Sequence, residues 1–322
     1  MVKLLKVHGS ENTFFILDQT LLETPLTPTQ LSKLAINICE NVFGGADGLL
    51  VVDASENYLG KMTVINADGS LAKMCGNGLR TVSRYLSEKF QLDSFQVETN
   101  DAPLEVEKSE DFYPGVPAFS VEIGPISFNN LDLPFSYHNE AEMVDQMIPE
   151  FLPDQSFTAV AVPNPHLISF VPEVSKLELG DLGQELNSQN PYFPEGVNVS
   201  FGQILATNKL FVETYERGVG FTNACGTGMS AASLVFAMLH KDQFDPNKEI
   251  KVYNPGGMVK TKVTLSNNKE HSKLRLIGNA TFTEEINVDE DSLRQNDLTN
   301  LQIIATGEER DYQKFIKNIS QK

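Results

Sequence analysis

Apolar residues along this chain alternate between spacings of two and of three to four, predicting short strands interrupted by a few helices. Leu4, Leu5 and Val7 precede a polar break at 8–12, and an apolar run at 14–17 follows it. That layout predicts two strands around a loop carrying Asn12. Thr27-Pro28-Thr29-Gln30 has the form of a helix start, with the helix running to about Val42. A glycine-rich turn at 44–48 leads into a strand at 49–52, and a strand at 62–65 runs into Asn66-Ala67-Asp68-Gly69. Leu79, Val82, Tyr85 and Leu86 fall at helical spacing, with Arg80 and Arg84 between them, predicting a helix from Cys75 to near Phe90. Period-two alternation across 95–126 marks half-buried strands.

The second half reads similarly. Segment 138–156 is acidic and loop-like, with the character of a surface insertion. A strand at 160–163 ends in Pro163-Asn164-Pro165-His166, where the prolines restrict the backbone and hold Asn164 and His166 in place. Strands are expected at 196–201 and 210–215, a hairpin at 252–265 and a last strand at 273–283. Segment 229–239 is apolar almost all round and predicts a central helix wrapped by sheet. Residues 284–299 are polar and acidic, 301–304 return to the first domain, and 310–322 form a surface helix.

Two stretches repeat one pattern. Cys75-Gly76-Asn77-Gly78 and Cys225-Gly226-Thr227-Gly228 each open a helix, and each has a polar residue nine positions upstream, Asn66 and Glu216. The first N–H groups of a helix lack internal partners and carry the positive end of its dipole. A thiol there is biased towards thiolate, and the same amides can hold a carboxylate. A lone Cys-Gly-x-Gly is a weak signal, whereas two with matched upstream spacing are strong. Two such sites facing each other would put a thiol on either side of one carboxylate-bearing carbon. Cys39 lies on an apolar helix face and reads as a core residue.

Composition narrows the function classes. The chain has 322 residues, 41% of them apolar, with 20 Phe and no Trp. The repeat favours two domains. A net charge of −18 argues against nucleic acid or an anionic membrane surface as partner. The 3 cysteines make neither a disulfide framework nor a zinc pattern, which points to a reducing compartment. The N-terminus lacks a signal-peptide layout and no apolar run is long enough to span a bilayer, so a soluble cytoplasmic protein is expected.

These motifs resemble the diaminopimelate epimerase family from the 9–12 loop to about Thr281. The matching stretches are Gly45-Ala46-Asp47-Gly48, Asn66-Ala67-Asp68-Gly69, Met74-Cys75-Gly76-Asn77-Gly78, Asn164-Pro165-His166, Asn198, Glu216-Arg217-Gly218 and Ala224-Cys225-Gly226-Thr227-Gly228. The resemblance implies an α/β (α+β) fold of two pseudo-symmetric domains. Each would be a mixed, curled β-sheet wrapped around a central helix, with the active site in the interdomain cleft. The domains are expected at 1–116 plus 286–322, and at 117–285. The implied activity interconverts L,L- and meso-2,6-diaminopimelate for lysine and peptidoglycan-precursor synthesis, without pyridoxal phosphate, other cofactor or metal. The implied oligomer is a homodimer.

Under that resemblance Cys75 and Cys225 are the two catalytic bases, assisted by His166 and Glu216 respectively. The amides of Gly76, Asn77, Gly226 and Thr227 would hold the α-carboxylate as charge builds on it. Asn66, Asn164, Asn198, Glu216 and Arg217 would read the distal amino-acid head, with Asn12 near the reacting centre. Two positions depart from the pattern: Phe221 stands where Glu is frequent, and Gly196 where Arg is common. A related two-thiol racemase of the histidine or proline type is the nearest alternative, and a dithiol redox or binding protein is the alternative from another class.

Overall fold

The computed structural model describes residues 1–42, 44–72 and 74–319. The chain divides into two units, Met1–Val121 with Ile277–Lys322, and Glu122–Leu276. Both units use one order of elements, which extends the sequence repeat well beyond the cysteines.

In the first unit, strands Val2–Gly9 and Asn12–Asp18 pair antiparallel. Ser10 and Glu11, which join them, have φ of 55° and 64°. Strand Asn12–Asp18 runs parallel to Gly48–Asp53. A parallel pair needs a crossover, and helix Pro28–Asn41 provides it, with Thr27 and Gln30 closing a reciprocal capping box. Its buried face is Leu31, Leu34, Ala35, Ile38 and Cys39. Burial pushes the Cys39 thiol up to about 12, so this thiol is inert. Strand Lys61–Asn66 then pairs antiparallel with Gly48–Asp53, and the chain enters helix Gly76–Phe90. Strands Ser94–Glu98, Pro103–Tyr113 and Val116–Glu122 continue one side of the sheet. Thr281–Val288 and Gln302–Ala305 extend the other.

The second unit repeats this. Ser156–Ala161 pairs antiparallel with Pro165–Phe170, which runs parallel to Asn198–Ala206. Lys209–Glu216 follows antiparallel, and helix Gly226–Leu239 begins after Cys225. Ile250–Asn254 and Gly257–Thr264 form the expected hairpin. In each unit a mixed α/β sheet curls around its cysteine helix. The helix Gly226–Leu239 is buried from Gly226 to Ala237, as its all-round apolar sequence requires.

Four details depart from the sequence reading. A crossover helix, Lys176–Leu186, carries the chain between the two parallel strands of the second unit. Its glycines hide it from periodicity arguments, but Gly183 is there because a Cβ would lie 2.4 Å from the Tyr215 ring. Segment 138–156 is more than a surface insertion: its acidic residues face outward, whereas Met143, Ile148 and Phe151 enter the core beside Phe157 and Phe193. The strand expected at 273–283 is two, Lys273–Asn279 and Thr281–Val288. The terminal helix is Glu308–Ile319, with Tyr312 and Phe315 buried. It is tied down by Glu308 on Arg84 at 2.6 and 2.7 Å and by Glu309 on His8 at 2.9 Å. Its expected continuation over 320–322 lies outside the described residues.

Candidate active site

Cys75 is the N-cap of helix Gly76–Phe90, with φ −136° and ψ 104°. Its Sγ accepts the Gly78 N–H at 3.3 Å, so the capping role usually held by Ser or Asp falls to sulfur. Gly78 fits because a Cβ there would meet Leu50 at 2.7 Å. Asn12, the first residue of its strand, places Oδ1 3.8 Å from the Cys75 Sγ and accepts from Asn77 Nδ2 at 3.1 Å. Asp47 holds Asn12 in turn, taking Asn12 Nδ2 at 2.7 Å and the Thr13 N–H at 2.8 Å. Asn12, Cys75, Gly76 and Asn77 therefore form one cluster. Asn66 ends its strand, opens a turn to Gly69 and donates to Ser70 Oγ at 3.0 Å.

Cys225 caps helix Gly226–Leu239 in the same way, with φ −99° and ψ 101°. Its Sγ accepts the Gly228 N–H at 3.4 Å and lies 3.6 Å from Thr227 Oγ1. Its setting is the opposite of a thiolate's. Burial, then the Glu216 carboxylate, pushes the thiol well above its ordinary value, only partly offset by Thr227 and the Gly228 amide. Glu216 also takes the Thr222 hydroxyl.

The remaining expected residues of the second unit meet around Asn198. Its Nδ2 donates to the Pro165 carbonyl at 3.0 Å, and its Oδ1 accepts the Arg217 N–H at 2.8 Å. Asn198 is also the register partner of His166. His166 lies inside strand Pro165–Phe170 rather than in the preceding turn, and is fully buried. Neither ring nitrogen has a hydrogen-bond partner in the described residues. Burial, with the Arg217 charge, drives its pKa down to about 3, leaving a neutral imidazole. Arg217 Nη1 donates to the Glu195 carbonyl at 3.0 Å. Asn164 closes the turn before this strand, its carbonyl accepting the Val162 N–H at 3.0 Å.

The two departures have local structural roles. Gly196 has φ +72°, and a Cβ would meet Asn187 Oδ1 at 2.5 Å and Arg217 Cδ at 3.0 Å. Phe221 packs edge-on against Tyr215 at 5.4 Å and over Lys176. The residue that sequence reasoning left without a role is Arg80, whose side chain is fully buried. Helical periodicity placed it between apolar positions, and that placement was the available signal.

Comparison with known proteins agrees with these motifs. The family model for diaminopimelate epimerase matches residues 4–128 and 158–283, leaving out the whole of segment 138–156. A diaminopimelate epimerase of Lactiplantibacillus plantarum is 48% identical over 329 residues, covering 99% of both chains. Those of Ligilactobacillus salivarius and Enterococcus faecalis are 49% and 45% identical, each covering 99% or more of both chains. Among solved structures, a Bacillus anthracis phenazine biosynthesis protein of the PhzF family superposes with TM-score 0.63 at 16% identity, covering 88% of this chain and 97% of its own. A hydroxyproline epimerase from Agrobacterium vitis gives 0.59 at 13%, covering 94% and 91%. At those identities the structures share the fold. The full-length relatives and the matched family model go further: this chain belongs to the diaminopimelate epimerase family.

Proposed function

We propose that this chain is an isomerase that interconverts L,L- and meso-2,6-diaminopimelate, with Cys75 and Cys225 acting on opposite faces of one α-carbon. The observation that carries this is the pair of cysteine N-caps, each with Sγ on the third amide of its helix and each in a different electrostatic setting. Cys75 as thiolate takes the α-proton and becomes a thiol. Cys225, kept protonated by burial and Glu216, gives its proton to the other face and becomes the thiolate. Exchange with solvent restores the starting pair, and in the reverse direction the roles swap.

Between the two transfers, negative charge spreads into the α-carboxylate. The helix-start amides of Gly76, Asn77, Gly226 and Thr227 are suited to receive it, since fixed dipoles need no reorganisation when charge appears. Neutral His166, with neither nitrogen partnered among the described residues, can assist proton transfer without competing for a counter-ion. Asn66, Asn164, Asn198 and Arg217 read the distal head, and the Arg217 guanidinium can grip its carboxylate through two parallel hydrogen bonds. Asn12 steadies the Cys75 side. The reading needs neither pyridoxal phosphate nor a metal. It places the enzyme in the cytoplasm as a homodimer serving lysine and cell-wall precursor synthesis. No helix among the described residues is long and apolar enough to cross a membrane.

Reduced protein incubated with L,L-diaminopimelate, followed by chiral separation, tests the substrate. Meso product should appear, and Cys75→Ala or Cys225→Ala should slow its formation by roughly 10²–10⁴-fold. Inversion of histidine or proline with diaminopimelate untouched would instead assign a sister racemase.

A further inference from the structure

Helix Gly76–Phe90 buries two arginines one turn apart, and their surroundings differ. Arg84 is matched: it binds Glu308 at 2.6 and 2.7 Å, Glu88 at 2.7 Å and the Ala280 carbonyl at 2.7 Å. Arg80 is fully buried and meets no carboxylate among the described residues. Its Nε donates to the Asn279 carbonyl at 3.2 Å and its Nη2 to Ser10 Oγ at 3.4 Å. Its Nη1 has no partner in the described residues. An uncompensated buried guanidinium is strongly destabilising, so a fold that keeps one requires an explanation.

The surroundings are shaped for this group. A Cβ on Gly9 would lie 2.7 Å from Arg80 Nη2, and one on Gly278 would lie 2.7 to 2.9 Å from the guanidinium. Two strands therefore give up their side chains where Arg80 lies. Among the groups that could carry negative charge nearby, Glu309 is engaged by His8 at 2.9 Å and Gln313 at 2.8 Å. Tyr312, on the terminal helix, is held protonated by burial. Glu11 lies at the half-exposed turn, within 3.5 Å of Gln313. That leaves Cys75, five residues earlier on the same helix.

We propose that Arg80 is the fixed counter-ion of the Cys75 thiolate, a positioning residue that biases the resting enzyme towards Cys75 as thiolate and Cys225 as thiol. The catalytic meaning rests on the function proposed above. Burial lowers Arg80 to about 10, still charged at neutral pH, and Cys75 is the foremost charge acting to hold its proton on. Coulomb attraction is mutual, so the guanidinium favours the thiolate equally. Arg80 also braces the turn at Ser10 and Glu11, whose backbone lies at positive φ. The Ser10 N–H is fixed by Asn279 Oδ1 at 2.8 Å. That turn delivers Asn12 to the sulfur. The Cys225 side differs, with Glu216 acting against the thiolate.

The test is the pH dependence of iodoacetamide alkylation in a Cys39→Ala, Cys225→Ala background, where Cys75 alone reacts. Its thiolate should titrate below the ordinary ~8.5. Arg80→Gln should raise that titration by about one unit, which slows alkylation by up to about tenfold at a pH below both titration values. Arg80→Lys should recover most of the loss, and Arg84→Gln should leave the titration in place. An unmoved titration in folded Arg80→Gln overturns the assignment. A second reading needs no Arg80 variant. A thiol with a depressed folded pKa adds stability that grows as pH rises from that value and is complete above ~8.5. The stability lost in Cys75→Ala should therefore widen from pH 6 to 9, and a flat difference also overturns it. A chain that inverts diaminopimelate with Cys75 titration unmoved by Arg80→Gln sinks the counter-ion alone. A shifted titration without inversion sinks the functional reading alone.

Discussion

Cys75 and Cys225 share a sequence frame and a capping geometry, yet their neighbours push them apart. Cys225 is buried with a carboxylate beside it, whereas Cys75 takes the Gly78 amide, lies beside Asn12 Oδ1 and is followed on its helix by the buried Arg80 guanidinium. The nine-residue spacing to Asn66 and Glu216 made the pairing legible, and even hinted at the asymmetry. Arg80 was not legible as a charge partner, because its role depends on Gly9 and Gly278, which are distant in sequence. His166 makes a separate prediction. Its folded pKa of about 3 lies below the ordinary ~6.5, so the unfolded chain binds a proton that the folded chain refuses. Stability from this site is complete above pH ~6.5 and is lost as pH falls towards the folded value. The urea midpoint of the wild type should drop between pH 6.5 and 5, and His166→Gln should flatten that drop. Equal slopes would contradict a buried neutral imidazole.

At the level of elements, periodicity located both cysteine helices, the capping-box helix and most strands. The missed helix, Lys176–Leu186, shows what periodicity leaves out. Parallel strands Pro165–Phe170 and Asn198–Ala206 require a crossover, and the repeat places one there just as Pro28–Asn41 crosses in the first unit. Gly180 and Gly183 lower its intrinsic propensity, while close packing against Phe221 and Tyr215 demands them. Tertiary contact therefore overrides propensity. Gly183→Ala raises propensity but drives a methyl into the Tyr215 ring, so it should destabilise by about 1–3 kcal/mol, read as a lower urea midpoint. An unchanged or higher midpoint would show that the crossover helix does not seat against Tyr215. Segment 138–156 teaches the same lesson in reverse. Its acidic residues masked the apolar ones, which the burial of Met143, Ile148 and Phe151 reveals.

For the whole molecule, duplication explains the most with the least. Each unit builds a hairpin, a crossover helix, an antiparallel return strand and a cysteine-capped helix. Each therefore offers one thiol at the positive end of a helix wrapped in sheet. A net charge of −18 does not oppose a zwitterionic substrate, whose recognition is local. The acidic C-terminal segment is largely structural: its helix packs Tyr312 and Phe315 and supplies the carboxylates for Arg84 and His8. The central claim is a reaction with two separate thiol bases. Conversion of L,L-diaminopimelate in D₂O, stopped early and read by NMR and chiral separation, tests it most directly. Deuterium at the inverted α-carbon of the meso product, with little in unconverted substrate and none formed by Cys75→Ala or Cys225→Ala, is the predicted result. Meso product that keeps the original hydrogen at that carbon would mean one base carries the proton across, and would contradict the account.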